Sequence, residues 1–185
     1  MSKFLVIAEK PSVAQSYAKN LSAYKKEDGY LEGESCIVSW CLGHLAEYAQ
    51  PEEYDPKYEK WQFDDLPILP EAWKLKVSKD KKKQFEVIKT QMITSDVEYL
   101  VNGCDAGREG ELIFQRVYDL AGCKKPVKRL WISSMEDTAI REGFQTMKSE
   151  EEYKNLCMAA VCRAQADWLI GMNGTRAYTT RYFKR

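Results

Sequence analysis

The segment Cys104-Asp105-Ala106-Gly107-Arg108-Glu109-Gly110-Glu111 sets three carboxylates and an arginine at one turn. Carboxylate oxygens are hard ligands. They suit a divalent cation such as Mg²⁺, which keeps several waters and shares other positions with phosphate. A second acidic turn, Glu9-Lys10-Pro11-Ser12, lies near the start of the chain. Lys10 adds a compact positive charge beside Glu9, a fitting contact for a phosphate. Each turn has an ordinary explanation when taken alone. Acids suit the positive end of a helix dipole, and a proline in the first helical turn has no needed donor to lose. Two acidic turns, each at the end of an apolar run, favour a shared site over two separate helix starts.

Strands feeding helices must position these turns. Lys3-Phe4-Leu5-Val6-Ile7-Ala8 reads as a buried parallel strand, followed by a helix over 11–21. A strand over 97–102 feeds the second turn. A helix over 108–120 follows, with Leu112, Ile113, Val117, Tyr118 and Leu120 at helical spacing and Gly122 as its stop. Both acids then stand at the carboxyl ends of strands, where open α/β sheets bind ligands. Residues 22–34 are polar, with Gly29 and Gly33 as turn residues, and a further strand runs over 36–40. Residues 51–70 carry Pro51, Pro56, Pro67 and Pro70, which excludes a regular helix. Such long loops are often functional, although Tyr54, Tyr58, Trp61, Phe63 and Trp73 could simply pack this one down. The remaining pattern gives a helix over 79–94, a strand over 127–132, a cap at 133–137, a helix over 136–147 and a last helix from 150 to about 173. The alternation predicts an α/β, Rossmann-like fold: a mainly parallel sheet flanked by helices, followed by a helical appendage.

Composition narrows the class. The chain has 185 residues, of which 44% are hydrophobic and 30% charged, enough for one domain with a real core plus an appendage. No apolar run approaches the roughly 20 residues of a membrane helix, and no export signal is legible. Of six cysteines none forms Cys-x-x-Cys, and His44 is the only histidine, so the paired spacing of a structural zinc site is missing. Reduced thiols packed in a core, in a cytosolic compartment, are the expectation. The 28 basic and 28 acidic residues cancel, which is weak support for a nucleic-acid binder. Their distribution is more telling. Lys79 to Lys83 holds four lysines, best read as a solvated helix start. The segment from Arg163 to Arg185 holds five basic residues, one acid, and Tyr178, Tyr182 and Phe183. That mixture either binds single strands by stacking and charge or is a solvated helix end.

With these residues in view, the sequence resembles the TOPRIM domain of bacterial type IA DNA topoisomerases, and topoisomerase III most closely. The resemblance rests on Phe4 to Ser12, on Gly43-His44-Leu45 with Pro51 and Tyr54, and on Leu66-Pro67-Ile68 with Trp73. It continues through Asp105 to Glu111 and Arg129-Leu130-Trp131-Ile132-Ser133-Ser134 to Arg163, Asp167, Trp168, Gly171, Asn173 and Arg176-Ala177. It covers essentially the whole chain. Two departures stand out. Gly107 occupies the place of the second acid of the family's Asp-x-Asp turn. The tyrosine that joins covalently to a 5′ phosphate, found in a Tyr-Met-Arg-like segment of a separate domain, has no counterpart here.

The resemblance implies roles. Glu9 stands near the scissile phosphate as metal ligand or proton donor, and Lys10 contacts that phosphate. Glu9, Asp105 and Glu109 hold Mg²⁺, while Glu111 helps or faces water. Arg108 orients the tyrosine or phosphate. Arg163 holds the DNA backbone, Asp167 meets a base, and Arg176 belongs to the same DNA-binding helix. An i,i+4 ion pair is the plain alternative for Arg163 and Asp167. The expected organisation is a TOPRIM metal-binding domain at 1–150 and the truncated start of a helical DNA-binding domain at 151–185. The expected partners are DNA, mainly single-stranded, and the remaining domains of a parent topoisomerase, with no membrane and no nucleotide. The expected location is cytoplasmic, associated with nucleoid or plasmid. The alternatives are a stand-alone TOPRIM nuclease, or a non-catalytic DNA-binding module.

Overall fold

The computed structural model describes residues 2–183. Strand β1 (Lys3–Ala8) leads to helix α1 (Pro11–Asn20), then to the strands β2 (Lys25–Glu27), β3 (Tyr30–Glu32) and β4 (Cys36–Trp40). After β5 (Ala46–Tyr48), the short helix α2 (Pro51–Tyr54) and two 3₁₀ turns, the chain returns through β6 (Leu75–Val77) to helix α3 (Lys82–Ile93). Strand β7 (Val97–Gly103), helix α4 (Arg108–Ala121), strand β8 (Val127–Arg129), helix α5 (Asp137–Gln145) and strand β9 (Lys148–Ser149) follow. The long helix α6 (Lys154–Tyr182) closes the order.

The main sheet has seven strands in the order β2-β3-β4-β1-β7-β8-β9. Its centre, β4-β1-β7-β8, is parallel, and its edges are antiparallel. Alternation along β1 explains why both faces are covered. Leu5 and Ile7 join one core with α3 and α4, through Ile88, Met92, Ile113, Phe114 and Val117. Val6 and Ala8 join the other with α1 and α5, through Ala14, Tyr17 and Ile140. Burial on both faces is what a continuous apolar strand requires. The helices that follow β1 and β7 therefore lie on opposite faces, and the crevice between these two neighbouring strands is the sheet's topological switch point.

A third cluster ties the insertion to α6. Trp168 sits among Tyr48, Tyr54, Ile68 and Trp73. Its ring meets Trp73 edge-on at 5.4 Å, and its Nε1 donates to the Ala49 carbonyl at 3.1 Å.

The sequence expectations differ from the structure in several places. The polar stretch 22–34 forms the β2–β3 hairpin at the sheet edge. The flanks of the insertion pair as β5 and β6. The helix expected over 79–94 opens with a 3₁₀ turn at Lys79–Lys81, and strand β8 stops at Arg129. The last helix passes Asn173 and continues to Tyr182. Asn173 does not end it, because its side chain brackets Ile68 instead, accepting from the Ile68 amide at 2.6 Å and donating to the Ile68 carbonyl at 3.0 Å. The four cysteines Cys36, Cys41, Cys104 and Cys123 are buried free thiols. Among the described residues no helix is long and apolar enough to cross a membrane.

Candidate metal centre

The parallel register pairs Ala8 with Gly103. Glu9 leaves the end of β1 next to the Cys104-Asp105 turn at the end of β7. The loop after β4 covers the same edge, with the Cys41 amide donating to the Ala8 carbonyl at 2.7 Å and the Gly43 amide to the Glu9 carbonyl at 3.3 Å. Glu9 is buried, at 8% exposure. Lys10 Nζ lies 3.5 Å from its Oε1, and its Oε2 is shielded from solvent with no hydrogen-bond partner. A shielded carboxylate oxygen is costly unless something satisfies it. A hard cation would do so, and Asp105 stands exposed at the adjacent strand end.

The turn itself is held from beneath. Arg129, in β8, is 0% exposed. Its Nη1 donates to the carbonyls of Asn102, Cys104 and Leu130 at 3.0, 2.7 and 2.8 Å, and its Nη2 to that of Asp105 at 2.8 Å. Tyr17 adds a bond from its hydroxyl to the Gly103 carbonyl at 3.0 Å. Helix α4 then starts so close to the turn that a Cβ on Gly110 would collide with the Asp105 carbonyl oxygen, whereas a Cβ on Gly107 would meet nothing within 4 Å. A hydrogen bond with Cys41, and burial, push the Cys104 thiol well above its ordinary range. The thiol, 2% exposed, is part of the floor of the turn.

The other expected residues are placed differently from one another. Glu109 lies on the outer side of the first turn of α4 and pairs with His44 Nε2. Among the described residues, no group of three or more His, Cys, Asp or Glu side chains stands where it could hold a metal ion. The expected trio of Glu9, Asp105 and Glu109 is thus not gathered, because Glu109 is drawn to the loop after β4. Glu111 does not face water. It is 0% exposed, its Oε1 accepts from Arg129 Nε at 2.5 Å, and its Oε2 accepts from Asn102 at 3.3 Å. Burial and the nearby Glu111 carboxylate push Glu150 up to about 7.

Along α6, Arg163 and Asp167 are exposed and form the i,i+4 pair at 3.7 Å. Arg176 is not on the DNA-facing surface expected of it. It is 5% exposed, pairs with Glu52 at 3.7 Å and lies over the Trp61 ring at 4.7 Å. Its position one turn beyond Met172 points it under the insertion, and burial lowers its pKa. Trp168 likewise points inward. Tyr178, Tyr182 and Phe183 are exposed, while Lys184 and Arg185 of the basic tail lie outside the described residues. His44 and Arg129 are the two site residues that sequence reasoning passed over. His44 offered a signal as the only histidine, whereas nothing local marked Arg129, whose strand neighbour Lys128 is exposed.

Residues 4–135 match the Toprim domain family model. The chain belongs to the Toprim domain family. It is 51% identical over 182 residues to a Bacillus subtilis protein named DNA topoisomerase 3, and 53% identical to the protein of that name from Bacillus cereus strain ATCC 14579. Each alignment covers 98% of this chain and 25% of the relative, so the chain spans about a quarter of the length of the curated relatives it matches. Full-length topoisomerase I from Thermotoga maritima superposes with a TM-score of 0.51 at 19% identity, over 81% of this chain and 22% of that one, a likeness of fold.

Proposed function

We propose that this chain is the acidic, metal-binding and DNA-contacting part of a type IA DNA topoisomerase. The whole enzyme cuts one strand, passes another and reseals it without nucleotide. The observation that carries the reading is the shielded, unpartnered Glu9 oxygen beside the Asp105 turn at the switch point of a Toprim sheet. Residues 1–150 form the metal-binding domain, and 151–185 begin a helical DNA-binding domain. DNA, mainly single-stranded, and the other domains of the parent protein are the partners, in the cytoplasm at nucleoid or plasmid.

Glu9 and Asp105 would hold Mg²⁺, while Glu109, one of the three carboxylates expected there, stands paired with His44. Bound there, Mg²⁺ stabilises negative charge on a phosphoryl group during transfer. Lys10, exposed beside Glu9, contacts the phosphate as a point charge. Arg108, at the start of α4, orients the phosphate or the incoming tyrosine. The alternative role for Glu9, in place of metal ligation, is proton donor to the leaving oxygen. Arg163 and Asp167 meet the strand from the exposed face of α6. The tyrosine nucleophile comes from elsewhere in the parent protein, so this chain alone neither relaxes nor covalently traps DNA.

Calorimetric titration of the 185-residue chain with Mg²⁺ tests the reading. Binding that weakens in both Glu9→Gln and Asp105→Asn supports it. Unchanged binding in both overturns the metal centre. Mg²⁺-dependent nicking by the isolated chain would move a stand-alone nuclease to the front.

A further inference from the structure

Trp131 lies just past the carboxyl end of β8 and is 42% exposed. Among the described residues it belongs to none of the three apolar clusters, whereas its neighbours Leu130 and Ile132 pack into the one shared with α1 and α5. Core packing therefore does not account for its place. Its ring has two specific neighbours instead. The Arg129 guanidinium carbon lies over the ring, 5.0 Å from the centroid. The Tyr153 ring stacks on it at 5.1 Å, with 19° between the planes. Tyr153 closes the 3₁₀ turn Glu150–Tyr153 from which α6 starts. The indole thus stands between the root of α6 and the guanidinium that grips the acidic turn.

Arg129 donates to the Cys104 and Asp105 carbonyls, so a displaced guanidinium moves the backbone that carries the Asp105 carboxylate. Its hydrogen bonds and its ion pair with Glu111 set where its nitrogen atoms point. The indole face adds an attraction on the cation as a whole. The root of α6 reaches the same turn by a second path. Asn102, 0% exposed, donates to Glu150 Oε1 at 3.4 Å and to Glu111 Oε2 at 3.3 Å, and its Oδ1 accepts from the Cys104 amide at 3.2 Å. Both ends of the 3₁₀ turn are thereby tied to the Cys104-Asp105 backbone, Glu150 through Asn102, and Tyr153 through Trp131 and Arg129.

We propose that Trp131 is a positioning residue for the metal centre: stacked on Tyr153, it holds the Arg129 guanidinium where that side chain presents Asp105 to Mg²⁺ beside Glu9. This rests on the metal-binding function proposed above. Trp131 acts through Arg129 and not by contact with the ion. Groups that orient a metal ligand from behind contribute to affinity in this way, and their loss weakens binding. The plain alternative is that the indole serves only to seat the root of α6.

The 185-residue chain is compared with Trp131→Leu, Trp131→Phe and Tyr153→Leu, by calorimetric titration with Mg²⁺ and by amide exchange in the absence of metal. In Trp131→Leu the Mg²⁺ affinity is expected to fall about threefold to tenfold, with faster exchange over 104–107. Trp131→Phe keeps an aromatic face and restores most of the affinity. Tyr153→Leu lowers the affinity by a smaller factor, and carries the test if Trp131→Leu does not fold. Unchanged Mg²⁺ binding in both leucine variants, with exchange faster only over 150–156, overturns the proposal and leaves the metal centre standing. Equal loss in the phenylalanine and leucine variants of Trp131 overturns it too, because the aromatic face then plays no part. A parent chain that binds no Mg²⁺ overturns both this proposal and the metal centre beneath it.

Discussion

Arg129 and Glu111 form an ion pair wholly shielded from solvent, Nε to Oε1 at 2.5 Å, directly under the Asp105 turn. The remaining guanidinium donors go to the backbone carbonyls of that turn and of its neighbours. One arginine thus couples the carboxyl end of β7, the first turns of α4 and the end of β8. The pair fixes a shape more than it adds stability, since two well-packed apolar side chains of similar volume often serve as well or better. Removing one partner is another matter. Glu111→Ala leaves the guanidinium buried without its counter-charge and is expected to cost about 3–5 kcal/mol. Urea unfolding of the single variants and of the double variant Glu111→Leu/Arg129→Met checks this, with the double variant losing less than the sum of the two singles.

Glu150 sets a pH dependence of the opposite sign to that of most carboxylates. Its folded-state pKa is raised to about 7 by burial and by Glu111, whereas the unfolded value is about 4.3. Between these values the folded state holds more protons than the unfolded state, so stability falls as pH rises through about 4.3 to 7. Below that window the contribution is constant, and above it the full penalty applies. Glu150→Gln should remove this slope and gain stability at pH 8, by no more than about 4 kcal/mol. Melting temperatures of both forms from pH 4 to 8 provide the check.

The two glycines of the acidic turn should respond differently to a side chain. Gly110→Ala places a Cβ against the Asp105 carbonyl oxygen, forcing backbone apart, and is expected to destabilise by more than about 2 kcal/mol. Gly107 faces open space with φ of 167°, extended backbone open to any residue. Gly107→Asp supplies a favoured N-cap residue for α4 and should fold with stability within about 1 kcal/mol of the parent. If Mg²⁺ binds at the proposed centre, this variant should bind it more tightly. Thermal melts and calorimetric titration of the two variants separate these outcomes.

Trp168 joins the insertion to α6. Trp168→Ala is expected to cost about 3–5 kcal/mol. Amide exchange should rise across 46–77 while the protection of β1 and β7 is largely kept. Uniform loss of protection across the chain would show that this cluster and the sheet unfold as one unit.

Both acidic turns and the strands that carry them were legible because each is a local pattern, an apolar run followed by a helix start. The β2–β3 hairpin was not, since its residues are short, polar and at an edge, where alternation carries little signal. The β5–β6 pairing joins residues on either side of a proline-rich insertion, and nothing local announces it. Within the site, Glu9 and Asp105 follow from strand order alone. Glu111 and Arg176 do not, because helical phase decides which of several charged residues turns inward. Arg129 meets Glu111 only through tertiary packing, so the burial of both is settled by the pair and not by either residue.

The central place of β1 in the sheet bears on how the chain is made. Lys3 pairs with Val97, about 90 residues further along. At a synthesis rate of about 5–20 residues per second, β1 leaves the ribosome on the order of 5–20 s before β7 can pair with it. For that interval one edge of an almost wholly apolar strand offers unsatisfied amides and carbonyls to any extended segment nearby. The polar hairpin β2–β3 and strand β4 are made within the first part of that wait and close only the other side. Nascent chains stalled between β4 and β7 should therefore be the form of this protein that holdase chaperones capture most readily.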